Sequence, residues 1–274
     1  MSEAEETSVK LREKLWLWGQ DAGTHHAYHN NEWNLPGVNR MGPAEGARHL
    51  GIVNCCRVVM SGKPLPPFDG ESEKLKDLKR VVWSVIGDGS STRNNAGATD
   101  LEEVIRQARL FPNVCGGILD DFFVDNAAPR ISLDQLKETK RRLSGNRPRP
   151  LDLWVVYYDR QLAQDYRAYL DVCDVVTLWT WQGANLANID SNVSQLCRIT
   201  PGKRRLAGCY LWNYGERKPL TTAQMELQCS KYHGWIRKGD LDGIIFCSNT
   251  LADIGIEAAD WLKDWIRQVG DEEV

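Results

Sequence analysis

The sequence predicts one (β/α)8 barrel over residues 1–274, and three observations predict it. Eight short apolar runs rich in Val, Ile, Trp and Tyr recur along the chain, a composition that suits strands. The runs are nearly continuous rather than alternating, which marks strands covered on both faces, as in parallel sheets. Helical patterns lie between them, and the run starts are spaced by roughly 30 residues, the length of one βα unit. Right-handed crossovers close eight such units into a barrel. The competing architecture, an open doubly wound sheet, would carry GxGxxG after its first strand. This chain reads GQDAG there.

The runs fall at 14–18, 51–59, 80–86, 114–119, 151–158, 172–181, 206–212 and 241–247. Helices are expected at 100–111, with Thr99 and Asp100 as caps and Leu101, Val104, Ile105 and Ala108 on one face, and at 132–143 behind a Ser132 cap. Others follow at 162–170, 221–235 with Thr222 as cap, and 256–269. The first βα connection, residues 19–43, is long and aperiodic. Such loops tend to be functional, and in a barrel it would lie at the C-terminal face, where active sites sit.

Composition narrows the function. Hydrophobic residues at 42% supply a sizeable core. A net charge of −3, with no strongly basic half, argues against a nucleic-acid partner. The basic stretch 137–150 reads as the polar end of a helix and a loop. No apolar run reaches ~18 residues, so no membrane span is expected. The polar start lacks the apolar region of a signal peptide. The 8 cysteines show no CxxC spacing and read as reduced, buried thiols, which favours a cytoplasmic location. Trp, at 11 residues, outnumbers Phe at 5, and that excess needs a place.

The C-terminal ends of the runs supply one. In order they carry Trp18 and Asp21; Asn54 and Arg57; Asp88; Asp120 and Asp121; Tyr157, Tyr158 and Asp159; Trp179, Trp181 and Gln182; Trp212, Tyr214 and Glu216; Ser248 and Asn249. Acids and large aromatics around one rim suit a saccharide. Aromatic faces stack on the sugar ring, polar groups bond its hydroxyls, and carboxyls move protons at the glycosidic oxygen. Asp120 and Asp121 precede Phe122 and Phe123, and apolar neighbours raise a carboxyl pKa. If Ile118 faces the helices, Leu119 and Asp121 face the barrel axis and Asp120 faces away; strand ends often break that alternation, so both acids are kept. Glu216 and Asp21 are the alternative second carboxylates. Trp18, Tyr157, Tyr158, Trp179, Trp181, Trp212 and Tyr214 are the candidate sugar platform, with Arg57 and Asn249 for hydroxyls or a carboxylate. Trp16, Trp83, Trp154, Trp261 and Trp265 are expected to pack against helices. His25, His26 and His29 read as polar loop residues without a metal motif, and no cofactor is needed.

On these residues the chain resembles the broad glycoside hydrolase group of (β/α)8 barrels. GGILDDFF, at 116–123, is similar in outline to the fourth-strand signature of chitinase-like barrels. The resemblance aligns Asp121 with an inward acid and implies a role for it alone. Phe123 stands where the outline has its catalytic Glu, and Leu119 where it has the middle acid. The implied activity is cleavage of a glycosidic bond in an oligosaccharide or glycoside. Two other functions fit the same rim: a carbohydrate-binding barrel without turnover, motivated by the missing Glu, and a metal-dependent isomerase or lyase using the acids and histidines.

Overall fold

The computed structural model describes residues 9–125 and 127–274. Eight strands close a parallel barrel in sequence order: β1 (Leu15–Gly19), β2 (Asn54–Arg57), β3 (Arg80–Ile86), β4 (Val114–Leu119), β5 (Asp152–Tyr158), β6 (Val175–Trp179), β7 (Arg204–Tyr210) and β8 (Gly243–Cys247), which pairs with β1. Each predicted run overlaps its strand, though β1 extends one residue beyond its run and β7 begins two residues before its own. Around them stand α1 (Pro43–Leu50), α2 (Asp69–Lys74), α3 (Leu101–Leu110), α4 (Leu133–Ser144), α5 (Arg167–Leu170), α6 (Ile189–Ile199), α7 (Thr222–Lys238) and α8 (Glu257–Val269). No helix among the described residues is long and apolar enough to cross a membrane. All eight cysteines are free.

Local chemistry accounts for the boundaries. Ser132 and Thr221 each accept the backbone N–H three residues on, from Gln135 and Gln224, whose side chains return the bond. The cap of α7 is therefore Thr221, not Thr222. Asp100 makes no cap bond because Arg93 takes its carboxylate. The helix expected at 162–170 shrinks to the single turn of α5, behind a 3-10 turn at Asp159–Gln161. The seventh run stops at Tyr210, and Trp212–Asn213 pairs with Lys218–Pro219 as a small antiparallel ribbon.

Glycine sterics fix which residues face inward. A Cβ on Gly117 would meet Val85 at 2.5 Å and Leu143 at 3.5 Å, on the helix side. Gly117 and Leu119 therefore face the helices, while Gly116, Ile118 and Asp120 face the axis. The backbone N–H of Asp120 donates to the Ile86 carbonyl at 3.0 Å, which carries the alternation one residue past the strand. Ile118 therefore does not face the helices, and of the two acids kept as candidates Asp120 points inward. Asp121 then adopts φ 43°, a left-handed conformation uncommon for a non-glycine residue.

The barrel interior is packed with indoles. Trp16 meets Trp154 edge-on, with centroids 4.8 Å apart, and Arg80 lies 4.7 Å over Trp16. One layer higher Trp18 meets Trp179 at 5.1 Å, and Tyr210 meets Trp179 at 5.0 Å. Trp16 and Trp154, expected against helices, fill the axis instead. Trp83 does face outward and stacks on Phe68 at 4.4 Å. The upper indole layer forms the floor on which the site stands.

Candidate active site

Above that floor, at the C-terminal face, lies a cavity of about 730 Å³. Its lining combines Trp18, Trp179, Trp181, Tyr158, Tyr210 and Tyr214 with Asp88, Asp120, Asp121 and Asp125. Tyr28 and Trp33 of the long first loop add a parallel stack, 4.5 Å between centroids. Trp33 also meets His25 and Tyr214 edge-on at 5.1 and 5.0 Å. The loop holds this pose because Asp253, after β8, accepts from Asn39 Nδ2 at 2.6 Å and from the Arg40 and Met41 amides.

The two adjacent acids differ in environment. Asp120 is only 5% exposed. Burial raises its pKa well above the carboxylate range, and Asp121 and Asp88 push it further the same way. Among the described residues, the one donor to its carboxyl is the Asp121 amide at 2.9 Å. Asp121 is better served. Its Oδ1 accepts from the Tyr158 hydroxyl at 2.7 Å, and its Oδ2 from the Gly89 amide at 2.9 Å. The pair thus sets a proton-holding carboxyl beside a fixed, hydrogen-bonded one, the division of labour that acid–base chemistry requires. Asp88 is occupied by the Ser61 amide at 3.0 Å and the Ser91 hydroxyl at 2.6 Å.

Other expected site residues lie elsewhere. Asp21 and Glu71 pair with the fully buried guanidinium of Arg57, outside the cavity. Glu216 stands at the surface on Lys218, and its pKa is lowered by Lys218 and then by Asn213. Tyr157 faces the helices and donates to the Gln161 carbonyl at 2.7 Å. Trp212 donates its indole N–H to the Trp33 carbonyl at 3.1 Å and so props the first loop. Asn249 clamps the Gln20 backbone, accepting from its amide at 2.8 Å and donating to its carbonyl at 2.9 Å. Of the expected residues, Asp120, Asp121, Trp18, Tyr158, Trp179, Trp181 and Tyr214 come together in the cavity.

The three loop histidines go separate ways. His26 bonds the Pro36 carbonyl and His29 pairs with Glu32. His25 is buried on the cavity wall, and its Nδ1 lies 2.7 Å from Thr250 Oγ1 and 3.1 Å from Tyr214 OH. Sequence reasoning gave His25 no special place, and it missed Gln20, Arg130 and Tyr210. Only Tyr210 had a legible signal, as the last inward residue of its strand.

Two outcomes follow from this geometry. Tyr158→Phe removes one of the two donors to Asp121 while keeping the ring. We expect a fall in kcat of about tenfold with KM little changed, the size of one lost hydrogen bond to a charged group. Steady-state kinetics on any substrate the wild type turns over checks it. His25 gives a stability effect, because burial lowers its pKa from 6.5 to about 3. The unfolded chain binds that proton below 6.5 and the folded chain does not, so stability falls as pH drops from 6.5 towards 3. The loss is on the order of 4–5 kcal/mol when complete. Urea unfolding at pH 4 and pH 7 reads it, and His25→Gln flattens the slope by about one proton.

No family model matches the chain, and no curated protein matches it. Solved structures do, at low identity. A Bacteroides thetaiotaomicron protein provisionally assigned as an alpha-L-fucosidase superposes with a TM-score of 0.59 at 10% identity, covering 98% of this chain and 99% of that one. A domain of a thermostable chitinase from Pyrococcus furiosus gives 0.55 at 13% identity, covering 88% and 85%. Tryptophan synthase from Pyrococcus furiosus gives 0.52 at 10% identity, covering 95% and 99%. These likenesses establish the barrel, which hosts many chemistries.

Proposed function

We propose that this barrel cleaves a glycosidic bond, with Asp120 as general acid and Asp121 as the charged partner. The carrying observation is the adjacent pair in one aromatic-lined cavity: one carboxyl buried and disposed to keep its proton, the other held by Tyr158 and Gly89. Asp120 donates its proton to the leaving oxygen as the bond to the anomeric carbon breaks. Asp121 stabilises the positive charge that develops on the ring, or takes a proton from the attacking water. Tyr158 keeps the Asp121 oxygen aimed. Trp18, Trp179, Trp181 and Tyr214 offer the faces on which a ring stacks. Glycosidases among the structural neighbours support the reading, though tryptophan synthase shares the same fold.

A second reading, a sugar-binding barrel without turnover, is favoured by one observation. Both cavity-lining acids assigned to chemistry leave the same strand end, while Asp21 and Glu216 are committed to Arg57 and Lys218. Asp121→Asn separates the two. The hydrolase reading expects aryl-glycoside turnover to drop at least a hundredfold with binding retained. Binding by the wild type with no release of the aryl group from any glycoside would establish the second.

A further inference from the structure

The two acids sit beside a cation that the proposed chemistry does not use. Arg130, in the loop between β4 and α4, is partly buried on the cavity lining. Its own amide donates back to the Phe122 carbonyl at 3.1 Å, which folds the loop over the strand ends. Its guanidinium Nη1 sits among three backbone oxygens. It donates to the Gly87 carbonyl, to that of Asp88 at 3.2 Å and, less closely, to that of Asp120 at 3.4 Å. Gly87 and Asp88 follow β3, and Asp120 follows β4. One charged side chain therefore bridges the ends of two neighbouring strands through carbonyls. Among the described residues no carboxylate pairs with it.

Both acids depend on what Arg130 bridges. The carbonyl of Asp120 and the amide of Asp121 belong to one planar peptide unit. Arg130 takes its oxygen end, and Asp120 Oδ1 takes its N–H end at 2.9 Å. The next residue, Asp121, has φ 43°, a conformation that persists only where the surroundings over-determine it. On the other side, the turn that Arg130 grips at Gly87 and Asp88 presents the following amide, Gly89, to Asp121 Oδ2 at 2.9 Å. The charge matters too. Facing Asp120 are Cys56 of β2, Asp88 after β3, Asp121 beside it, Tyr158 of β5, Tyr210 of β7 and Cys247 of β8. Burial pushes the thiols and phenols up, so they stay neutral. Asp121 and Asp88 disfavour a charge on Asp120, and Arg130 opposes them.

We propose that Arg130 is the positioning residue of the acid pair, orienting the peptide between Asp120 and Asp121 and holding the Gly89 amide on Asp121. It acts through backbone groups and touches no reacting atom. Its charge also bounds how firmly Asp120 keeps its proton, so that the acid can both hold and release it. The kinetic consequence rests on the glycosidase reading, whereas the effect on Asp120 does not.

The test compares the full chain with Arg130→Met, which removes charge and donors, and with Arg130→Lys, which keeps the charge but lacks the fork. The first readout needs no substrate. It is a pH titration of the protonated-carboxyl stretch by difference infrared spectroscopy, the Asp120 band being the one absent from Asp120→Asn. The second is kcat and KM against pH on the aryl glycoside that the wild type turns over fastest. In Arg130→Met the Asp120 midpoint is expected to move to higher pH, because a cation favouring its charged form is gone. The alkaline limb of kcat/KM is expected to move with it, since a general acid must hold its proton. At the optimum, kcat is expected to fall at least about tenfold with KM little changed. Arg130→Lys is expected to return midpoint and limb towards the wild type and to recover part of kcat. A merely structural Arg130 would lower Tm in both variants and move neither midpoint nor limb. Should Arg130→Met not fold, Arg130→Gln, which drops the charge and keeps a donor, is read for the same midpoint. An unmoved or lowered midpoint in the uncharged variant, or an unmoved kcat, overturns the assignment and leaves the hydrolase reading standing. Absence of turnover by the wild type on every glycoside sinks the hydrolase reading alone, and the infrared midpoint still decides the role of Arg130.

Discussion

Asp120→Asn is expected to abolish most activity and yet stabilise the protein. In the proposed role of general acid, Asp120 matters in proportion to how badly the leaving group needs a proton. On glycosides with poor leaving groups the loss is expected at about 10²–10⁴-fold. On a dinitrophenyl glycoside, whose leaving group departs unassisted, most of the rate is expected to remain. The stability side follows from linkage. Burial raises the Asp120 pKa above its unfolded value of 3.8, so the folded chain holds a proton that the unfolded chain has lost. Stability then declines as pH climbs from 3.8 to the folded pKa, and the penalty persists above it. Asparagine carries no such charge and has a similar shape. Its unfolding midpoint at neutral pH is expected above that of the wild type, and the difference is expected to vanish towards pH 3. Equal rate losses on good and poor leaving groups would remove Asp120 from the acid role. A lower midpoint at pH 7 would show that its carboxyl is not an energetic burden.

Gly208→Ala is expected to be the most damaging methyl group that can be added to the barrel. Gly208 faces the axis in register with Trp179. A Cβ there would lie 2.0 Å from Trp179 Cδ2 and 2.2 Å from Cε3. The indole cannot retreat. It is 2% exposed, packed against Trp18 and Tyr210, and its N–H is bonded to Thr177 Oγ1 at 2.9 Å. Overpacking at a rigid site of this kind costs about 3 kcal/mol or more. Because Trp179 is part of the cavity floor, activity is expected to fall with stability. Gly234→Ala serves as the control, since Gly234 lies inside α7 with open space around it. That change is expected to stabilise by about 0.5–1 kcal/mol. Urea unfolding of the two variants decides the matter. A Gly208→Ala protein as stable as wild type would mean that the Trp179 ring does not fill the space assigned to it.

The barrel was legible because its physics is local. Buried strands read as unbroken apolar runs, and all eight were visible. The helices missed were α1, α2 and α6. Only α2, of six residues, is too short to show a period; α6 places Ile189, Val193 and Leu196 on one face, a stripe that the sequence itself carries. The facing of β4 stayed open for a different reason: alternation gives a period but not a phase. Phase came from Gly117, whose absent Cβ makes room for Val85, a contact that no single-chain pattern encodes. The acidic pair was legible at the end of a run. Its supposed partners were not separable by sequence, because Asp21 and Glu216 are diverted by Arg57 and Lys218, one of them 36 residues away along the chain. His25 was hidden for the same reason: its partners Thr250 and Tyr214 lie 225 and 189 residues away along the chain.

The proposed reaction has the Asp120–Asp121 pair break glycosidic bonds. The most direct measurement is release of the aryl group and of reducing ends, from a panel of aryl glycosides and oligosaccharides, by the wild type and by the Asp120→Asn, Asp121→Asn double variant. Release by the wild type from at least one member of the panel is expected, and none above background from the double variant. Release by both proteins at similar rates, or by neither, would contradict it.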